Sequence, residues 1–278
     1  MKKRDSYAGL VTASARSLGA GVLHPGTAAT RFSLNRHRPP EDLAPFVDFC
    51  WVVRWDLRGE PAHEQAILPH PNVNLAFEAA GPAVYGIDRR VFTRKISGAG
   101  AVLGIRFRPG GFRPFYSAGK ISALNDLVVP AGDIFGPEAD RACAAVVAAS
   151  SDQAMIAAGA GLLRAARPQP DPVIDQVAAI VDRITADQGL RRVASLADVF
   201  GLPERRLQRL FAEYVGVSPK WVMRRARLHE AALCADAGGD VDWATLATDL
   251  GYADQAHLTR DFTATLGMPP SRYAAEGR

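Results

Sequence analysis

The chain has 278 residues, of which 48% are hydrophobic, and it carries a formal net charge of +4. This length is typical of two domains, and the hydrophobic content is enough to fill a core in each. Cys50, Cys143 and Cys234 lie far apart with no Cys-x-x-Cys pair, so the sequence signals neither a disulfide framework nor a thiolate metal site. No apolar run is long enough to span a membrane, and the few apolar residues after Lys2–Arg4 do not make a signal peptide. We therefore expect a cytoplasmic protein without a membrane segment.

The positive charge does not identify a nucleic-acid-binding half. Residues 1–170 hold 20 of the 33 basic and 14 of the 29 acidic residues, a net charge of +6, and residues 171–278 carry −2. Clustering is more informative than net charge. The arginine clusters of the last third are Arg191-Arg192, Arg205-Arg206 with Arg209, and Arg224-Arg225 with Arg227. They predict either one basic face or a set of solvated helix faces.

The N-terminal part has the pattern of strands. Residues 1–29 are rich in Ala, Gly, Ser and Thr and predict a flexible leader. Apolar segments at Phe49–Val53, Val73–Phe77 and Val102–Phe107 are separated by turns rich in Gly and Pro. Residues 30–167 are therefore expected to form an antiparallel β barrel or sandwich of cupin-like form, ending in helices over Pro137–Arg167. The expected fold class is a multidomain α+β protein.

The C-terminal part is helical and contains an internal repeat. A Pro-rich linker at 168–172 precedes a predicted domain at 173–278. The matching residues, at an offset of 50 or 51, are Leu196, Ala197, Gly201 and Leu207–Phe211 in the first copy and Leu246, Ala247, Gly251 and Leu258–Phe262 in the second. Each copy has the pattern of a short helix, a turn opened by Gly and a second helix, which is a helix-turn-helix unit.

The second helix of each unit is expected to have one buried face and one outward face. Leu207 and Phe211, and likewise Leu258 and Phe262, recur at helical spacing and predict the buried face. The outward residues are Arg205, Gln208 and Arg209 in the first unit, and Gln255, Ala256, His257, Thr259 and Arg260 in the second. Arg and Gln can read guanine and adenine edges in the major groove, so double-stranded DNA is the expected partner.

Capping residues predict how the two units are joined. Ser218 and Pro219 open a helix that is expected to run to about Ala235. At 1.5 Å per residue it would span roughly 25 Å, so two recognition helices could reach successive major grooves about 34 Å apart. Asp242 and Asp254 are the predicted caps of the two helices of the second unit.

At these residues the chain resembles the AraC/XylS family of transcription regulators, whose DNA-binding domain is two helix-turn-helix units joined by a long helix. The resemblance covers residues 174–274 and is most specific over Gly251–Phe262. It implies base-reading positions for Arg205, Gln208, Arg209, Gln255, Ala256, His257 and Arg260, with Thr259 near phosphate. Ala256 has no hydrogen-bonding group, so it is expected to contact a thymine methyl or nothing. Pro203 stands where the family usually has a capping Ser, and Glu204 is expected to compensate.

The N-terminal half resembles, less specifically, the barrel-like sensor domains of some members of this family. Leu68–Phe77 and Ile105–Phe112 carry this resemblance. Such domains bind a small effector or mediate dimerisation, and the sequence does not choose between these roles. The implied protein is a transcription regulator, either activator or repressor, and not an enzyme. Its implied partners are DNA, a small-molecule effector, a second copy of the chain and, for an activator, RNA polymerase; no cofactor or metal is implied.

Two other functions are compatible with parts of the sequence: an enzyme using metal-assisted or acyl chemistry in the N-terminal domain, and a helical partner-binding module without DNA. A cupin-like metal site would use His63, His70 and Glu78, but Pro71 and Asn72 break the His-x-His pair it needs. Further features have more than one interpretation. Trp51, Trp55, Phe77 and Phe107 could line an effector pocket or form the core, and Arg108–Gly111 could be an anion nest or a tight turn. Cys50 and Cys234 could be redox sensors, a methyl acceptor or inert thiols, and His257 could be a proton switch, a catalyst or a DNA contact.

Overall fold

The computed structural model describes residues 21–187, 189–238 and 240–277. Its strands are β1 (Ser33–His37), β2 (Val47–Leu57), β3 (His63–Ile67), β4 (Asn74–Glu78), β5 (Gly81–Tyr85), β6 (Phe92–Ile96), β7 (Gly98–Phe107) and β8 (Val128–Pro130). A six-stranded antiparallel sheet has the order β1-β2-β7-β4-β5-β8, and β3 pairs with β6 in a separate ribbon. The predicted antiparallel β domain is confirmed, in the form of sandwiched open sheets rather than a closed barrel.

Strand β2 shows how the sheet obtains two different faces. Successive side chains of a strand point to opposite faces, so Cys50 and Val52 are buried on one side while Trp51 and Trp55 lie on the other. Trp51 is paired with Gly104 of β7, and a Cβ at Gly104 would lie 1.9 Å from the Trp51 ring. Trp55 is paired with Gly100 in the same way. Glycine on β7 therefore leaves the space in which both indole rings lie against the sheet.

Two helices cover the other face of the six-stranded sheet. The helices of the N-terminal half are α1 (Pro25–Ala28), α2 (Gly132–Phe135), α3 (Glu138–Ala148) and α4 (Asp152–Ala165). Helices α3 and α4 share one apolar core with the sheet residues. The helices predicted over Pro137–Arg167 are present and are separated at 149–151. The chain leaves α3 in an extended conformation at Ala149, and the Ser151 hydroxyl caps α4.

Residues 21–29 do not form the predicted flexible leader. Val22 forms a β-bridge with Ile67, Leu23 is only 6% exposed, and residues 25–28 form α1. The buried Leu23 is the physical reason, because its side chain joins an apolar cluster of the C-terminal half. The remaining residues of the predicted leader lie outside the described residues.

The C-terminal part is entirely helical where it is described. Its helices are α5 (Pro172–Ala186), α6 (Val193–Val199), α7 (Glu204–Leu210), α8 (Pro219–Asp236), α9 (Trp243–Asp249), α10 (Gln255–Leu266) and α11 (Pro270–Glu276), with a π-helical turn at Phe211–Val215 after α7. Helix α5 begins at Pro172, the last residue of the predicted linker, and Asp171 caps it. Among the described residues, no helix is both long and apolar enough to cross a membrane.

Each helix-turn-helix unit shares its apolar core with one segment of the N-terminal half. Ile87 belongs to the cluster that contains Leu207 and Phe211 of the first unit. Leu68 belongs to the cluster that contains Leu258 and Phe262 of the second. Both N-terminal residues are almost fully buried. The two halves of the chain are therefore joined by apolar packing at two separate places.

Candidate nucleic-acid interface and cavity

The two units turn in the same way between their helices. Gly201 and Gly251 have φ of 61° and 78°, in the left-handed region that favours glycine. The next residue of each turn donates its backbone N–H to a carbonyl in the first helix, Leu202 to Ala197 and Tyr252 to Ala247, both at 2.9 Å. This pattern is the Schellman C-cap, so the helix ends predicted from the two glycines are confirmed.

The predicted buried and outward faces of α7 and α10 are both present. Leu207, Phe211, Leu258 and Phe262 have no exposed surface. The predicted contact residues Arg205, Gln208, Arg209, Gln255, Ala256, His257 and Arg260 are exposed, and Thr259 is partly buried. Helix geometry places Arg205 and Arg209 on nearly the same side of α7, opposite Leu207.

The first turns of α7 and α10 differ. The Asp254 carboxylate accepts the backbone N–H of His257 at 2.6 Å, which caps α10. Asp242 caps α9 and Ser218 caps α8, so these three predicted caps are present. Pro203 precedes α7 and supplies no side-chain cap, as expected, and Glu204 lies in the first turn. The start of α7 is therefore stabilised by the charge of Glu204 near the positive end of the helix dipole, without a side-chain cap.

Helix α8 is fixed against the second recognition helix by one carboxylate. Asp261 of α10 forms an ion pair with Arg224 of α8 and accepts a hydrogen bond from the Tyr252 hydroxyl at 2.7 Å. The Arg227 guanidinium lies over the Tyr252 ring, 4.6 Å from its centroid. These contacts set the orientation of α10 relative to the linker helix.

The third predicted arginine cluster is only partly outward. Arg224 is exposed but pairs with Asp261, and Arg227 is partly buried over Tyr252. Arg225 is 3% exposed and donates to the Arg89 carbonyl at 2.7 Å. An outward position was therefore wrong for Arg225, because its partner lies far away in the sequence. In contrast, Arg205, Arg209 and Arg260 form no hydrogen bond or ion pair with any described residue. Their guanidinium groups are available for an external partner.

A second feature is a cavity of about 290 Å³ in the N-terminal half. The six-stranded sheet contributes Phe49, Trp51 and Trp55 to its wall, and the β3–β6 ribbon contributes Ile67 and Ile96. The wall is mainly apolar, with a few polar groups, which is the character of a small-molecule site. The aromatic residues considered above divide between two roles. Trp51 and Trp55 line the cavity, whereas Phe77 and Phe107 are buried in the core on the opposite face.

The residues considered for a metal site are engaged elsewhere. His63 contacts Gln65, His70 stacks on His229 with ring centroids 3.9 Å apart, and Glu78 forms an ion pair with Arg94. The described residues include no group of three His, Cys, Asp or Glu side chains placed to hold a metal ion. Burial raises the pKa of Cys50 to about 11 and that of Cys234 to about 12, which keeps both thiols protonated and unreactive.

The segment Arg108–Gly111 forms a tight turn. The Gly111 N–H donates to the Arg108 carbonyl at 2.8 Å, and Gly110 has a φ of 84°. The turn has a role that the sequence did not indicate, because it packs against α5: Arg108 forms an ion pair with Asp175 at 2.9 Å. His257, the other residue with more than one interpretation, is exposed, and its ring contacts Tyr252 edge to face.

Two family models match the chain. A model of a helix-turn-helix domain matches residues 196–276, and a domain of unknown function, DUF6597, matches residues 35–130. The C-terminal domain is an AraC-type helix-turn-helix domain. This match agrees with the resemblance found in the sequence, and a helix-turn-helix domain supports a DNA-binding regulator.

Solved structures with similarity to the chain include other regulators. A probable AraC family transcriptional regulator from Rhodopseudomonas palustris is 24% identical over 36% of this chain and 94% of its own, with a TM-score of 0.31. ToxT from Vibrio cholerae is 14% identical over 88% of this chain and 98% of its own, with a TM-score of 0.40. ToxT bound to an unsaturated fatty acid gives a TM-score of 0.38 at 13% identity, over 88% of this chain and 95% of its own. No curated protein matches the chain.

Sequence reasoning missed the polar groups of the cavity. Arg36 and Arg106 both border it, but they lie on different strands, and nothing in the linear pattern brings them together. One signal was present at Arg106, which stands between Ile105 and Phe107 in an otherwise apolar strand. A charged residue in such a strand indicates either an ion pair or a ligand contact.

Proposed function

We propose that this regulator reads a specific DNA sequence with α7 and α10 and responds to a small molecule bound in its N-terminal cavity. The observation that carries the proposal is the outward face of the two helices. Arg205, Gln208 and Arg209 of α7 and Gln255, His257 and Arg260 of α10 are exposed. Side chains of these types make the common base contacts in the major groove. Ala256 and Thr259 complete the proposed contact set.

The linker helix supports binding to two successive grooves. Helix α8 contains 18 residues, which corresponds to a length of about 27 Å. Asp261 anchors one recognition helix to α8, and the Ser218 cap fixes the start of α8 directly after the first unit. Such an arrangement holds two recognition helices at a set distance, which suits one face of a DNA duplex.

The test is a selection of random duplex DNA by the purified full-length protein at about 0.15 M salt, because salt strongly affects such binding. The expected result is a motif with two conserved blocks about ten base pairs apart. A motif with one block would contradict reading by both units. If no motif is enriched, the selection is repeated with residues 171–278 to remove control by an effector. A second failure would reject the proposed function.

The cavity supports the proposed response to an effector because its apolar wall and few polar groups suit a small organic molecule. RNA polymerase as a partner of an activator, a homodimer through the N-terminal half, and cytoplasmic localisation stay predictions.

A further inference from the structure

Each carboxylate of the cavity wall already has an ion-pair or hydrogen-bond partner, whereas two arginines of the wall share a single nearby carboxylate. Glu78 pairs with Arg94, Asp126 pairs with Arg89, and Asp88 accepts the backbone N–H of Arg90. Arg36 and Arg106 are the remaining arginines of the wall, and the carboxylate near them is Asp48. The Asp48 side chain is 43% exposed, so one partly solvated anion faces two guanidinium groups.

Arg36 and Arg106 lie beside the same aromatic ring. Their guanidinium carbons are 4.4 and 5.1 Å from the centroid of Phe49. Arg106 donates to Asn72 Oδ1 at 2.7 Å, but its buried Nε makes no hydrogen bond and lies 3.3 Å from Asp48 Oδ2. Burial lowers the pKa of Arg106 to about 10, so the group is still a cation at neutral pH. A desolvated cation with an unsatisfied N–H is stabilised by an anionic partner.

We propose that the cavity binds an organic carboxylate with an apolar body, that the carboxylate pairs with Arg36 and Arg106, and that occupancy of the cavity changes DNA binding. The apolar body packs against Trp51 and Trp55, and the charged end lies near Phe49, where both guanidinium groups converge. The proposal rests on the proposed function, since it names the class of effector and the route by which it acts.

Two residues connect the cavity to the helix-turn-helix units, because each lines the cavity and also packs in the core of one unit. Leu68 lines the cavity and also lies in the core of the second unit, and Ile87 lines the cavity and lies in the core of the first. His70, another wall residue, stacks on His229 of α8, whose pKa is lowered to about 3 by burial and which is therefore uncharged. A ligand that shifts the wall thus changes the packing of both units and of the helix between them.

Binding of the carboxylate is tested without DNA, by titrating the full chain with hydrocinnamate and decanoate and with their uncharged amides. Trp51 and Trp55 report binding by a change in fluorescence, and a rise in melting temperature reports it independently. We expect each acid to bind at least about tenfold more tightly than its amide, as a charged hydrogen-bonded pair provides. Equal affinity of acid and amide, or no binding by either acid, would overturn the proposal.

Substitutions then locate the charged end. Arg36→Met and Arg106→Met should each lower the affinity for the acid about tenfold while leaving the amide within about twofold. Arg94→Met is the matched control, because Arg94 lines the same cavity but already pairs with Glu78, and it should leave the preference for the acid unchanged. If Arg106→Met does not fold, Arg36→Met decides. A full preference for the acid in Arg36→Met would overturn the assigned position.

The proposed effect of the ligand on DNA binding is tested through the reciprocity of linked binding. The factor by which saturating acid changes the affinity for the selected DNA must equal the factor by which that DNA changes the affinity for the acid. A factor that differs from one supports coupling between the cavity and DNA binding, and a factor of one overturns it. Because the titrations above need no DNA, failure of the proposed DNA function leaves the ligand result standing and is recognised separately.

Discussion

The two helix-turn-helix units have the same turn but are anchored differently to the rest of the molecule. The first unit contacts the N-terminal half through polar groups as well as apolar packing. Arg113 donates to Glu213 at 2.8 Å, and the Asn125 side chain donates to the Gly216 carbonyl at 2.7 Å. Both partners in the unit belong to the stretch that follows α7, so the anchor lies next to the recognition helix.

The second unit contacts the N-terminal half through a buried polar cluster. The Tyr273 hydroxyl donates to the Asp236 carboxylate, with both oxygens at 3.0 Å, and accepts the backbone N–H of His24 at 3.2 Å. Asp236 has only 4% of its side chain exposed. Tyr273 corresponds to Val222 of the first unit by the repeat offset, so this cluster has no counterpart there. The repeat therefore encodes the fold of each unit, while residues that break the repeat determine how each unit is held.

The largest expected effect tests the equivalence of the two cores. Phe211→Ala and Phe262→Ala should each lower the free energy of unfolding by about 3–5 kcal/mol, since both rings are fully buried and truncation leaves a cavity. Urea denaturation measures the change, and Val199→Ala, at an exposed position, should stay within about 0.5 kcal/mol. If one substitution lowers the free energy of unfolding by less than half as much as the other, the two units are not energetically equivalent.

The second prediction concerns the cluster that only the second unit has. Burial raises the pKa of Asp236 from its ordinary 3.8 to about 7, so between these values the folded protein binds a proton that the unfolded chain does not. Asp236 should therefore contribute stability that is lost as the pH rises from about 4 to about 7, by up to about 1.4 kcal/mol per pH unit. Buried, uncharged His229 contributes the opposite slope below about pH 6.5, so the Asp236 effect is measured as a difference. The stability of the unmodified protein minus that of Asp236→Asn, each from urea denaturation, should fall over this pH range.

The control for the loss of a carboxyl group is Asp249→Asn, at an exposed position on α9. This variant should keep the pH profile of the unmodified protein. If Asp236→Asn also keeps that profile, Asp236 does not gain a proton on folding, and the second unit is not anchored by a protonated Asp236.

The features predicted from sequence are those that depend on neighbouring residues. Gly201 and Gly251 identify the turns, and Ser218 and Asp254 identify helix starts, because each acts on backbone groups within a few residues. Strand alternation likewise predicted the sheet domain. Local pattern was therefore sufficient for the fold class and for the proposed outward residues, which stay to be tested.

Features that depend on distant contacts were not predictable. Arg225 resembles an exposed helix residue until α8 packs on the loop containing Arg89, 136 positions away. Leu23 lies in a segment without apolar periodicity, yet it reaches the core of the second unit. The convergence of Arg36 and Arg106 on Phe49 requires the pairing of three strands. A single sequence carries no sign of these pairings.

The third prediction compares the two recognition helices as readers of DNA. Arg209→Ala and Arg260→Ala should each lower specific binding by about 1–3 kcal/mol and relax preference at one or two base pairs, in different blocks of the motif. Arg272→Ala, on the exposed side of α11, is the matched control. Binding to the selected and scrambled duplexes is measured at fixed salt. An equal loss on both duplexes would assign the arginine to phosphate contact.

The smallest expected effect concerns the starts of α7 and α10. Asp254→Ala removes the hydrogen bond to the His257 N–H and should lower stability by about 0.5–2 kcal/mol. Glu204→Gln removes only a charge that acts on the helix dipole, since Pro203 offers no cap, and should lower stability by about 0.3–1 kcal/mol. The two effects differ in kind. Raising the salt concentration should remove most of the Glu204 effect and leave most of the Asp254 effect, because screening weakens an exposed charge more than a short hydrogen bond. Equal salt dependence in urea denaturation would mean that the units start their recognition helices by the same physical means.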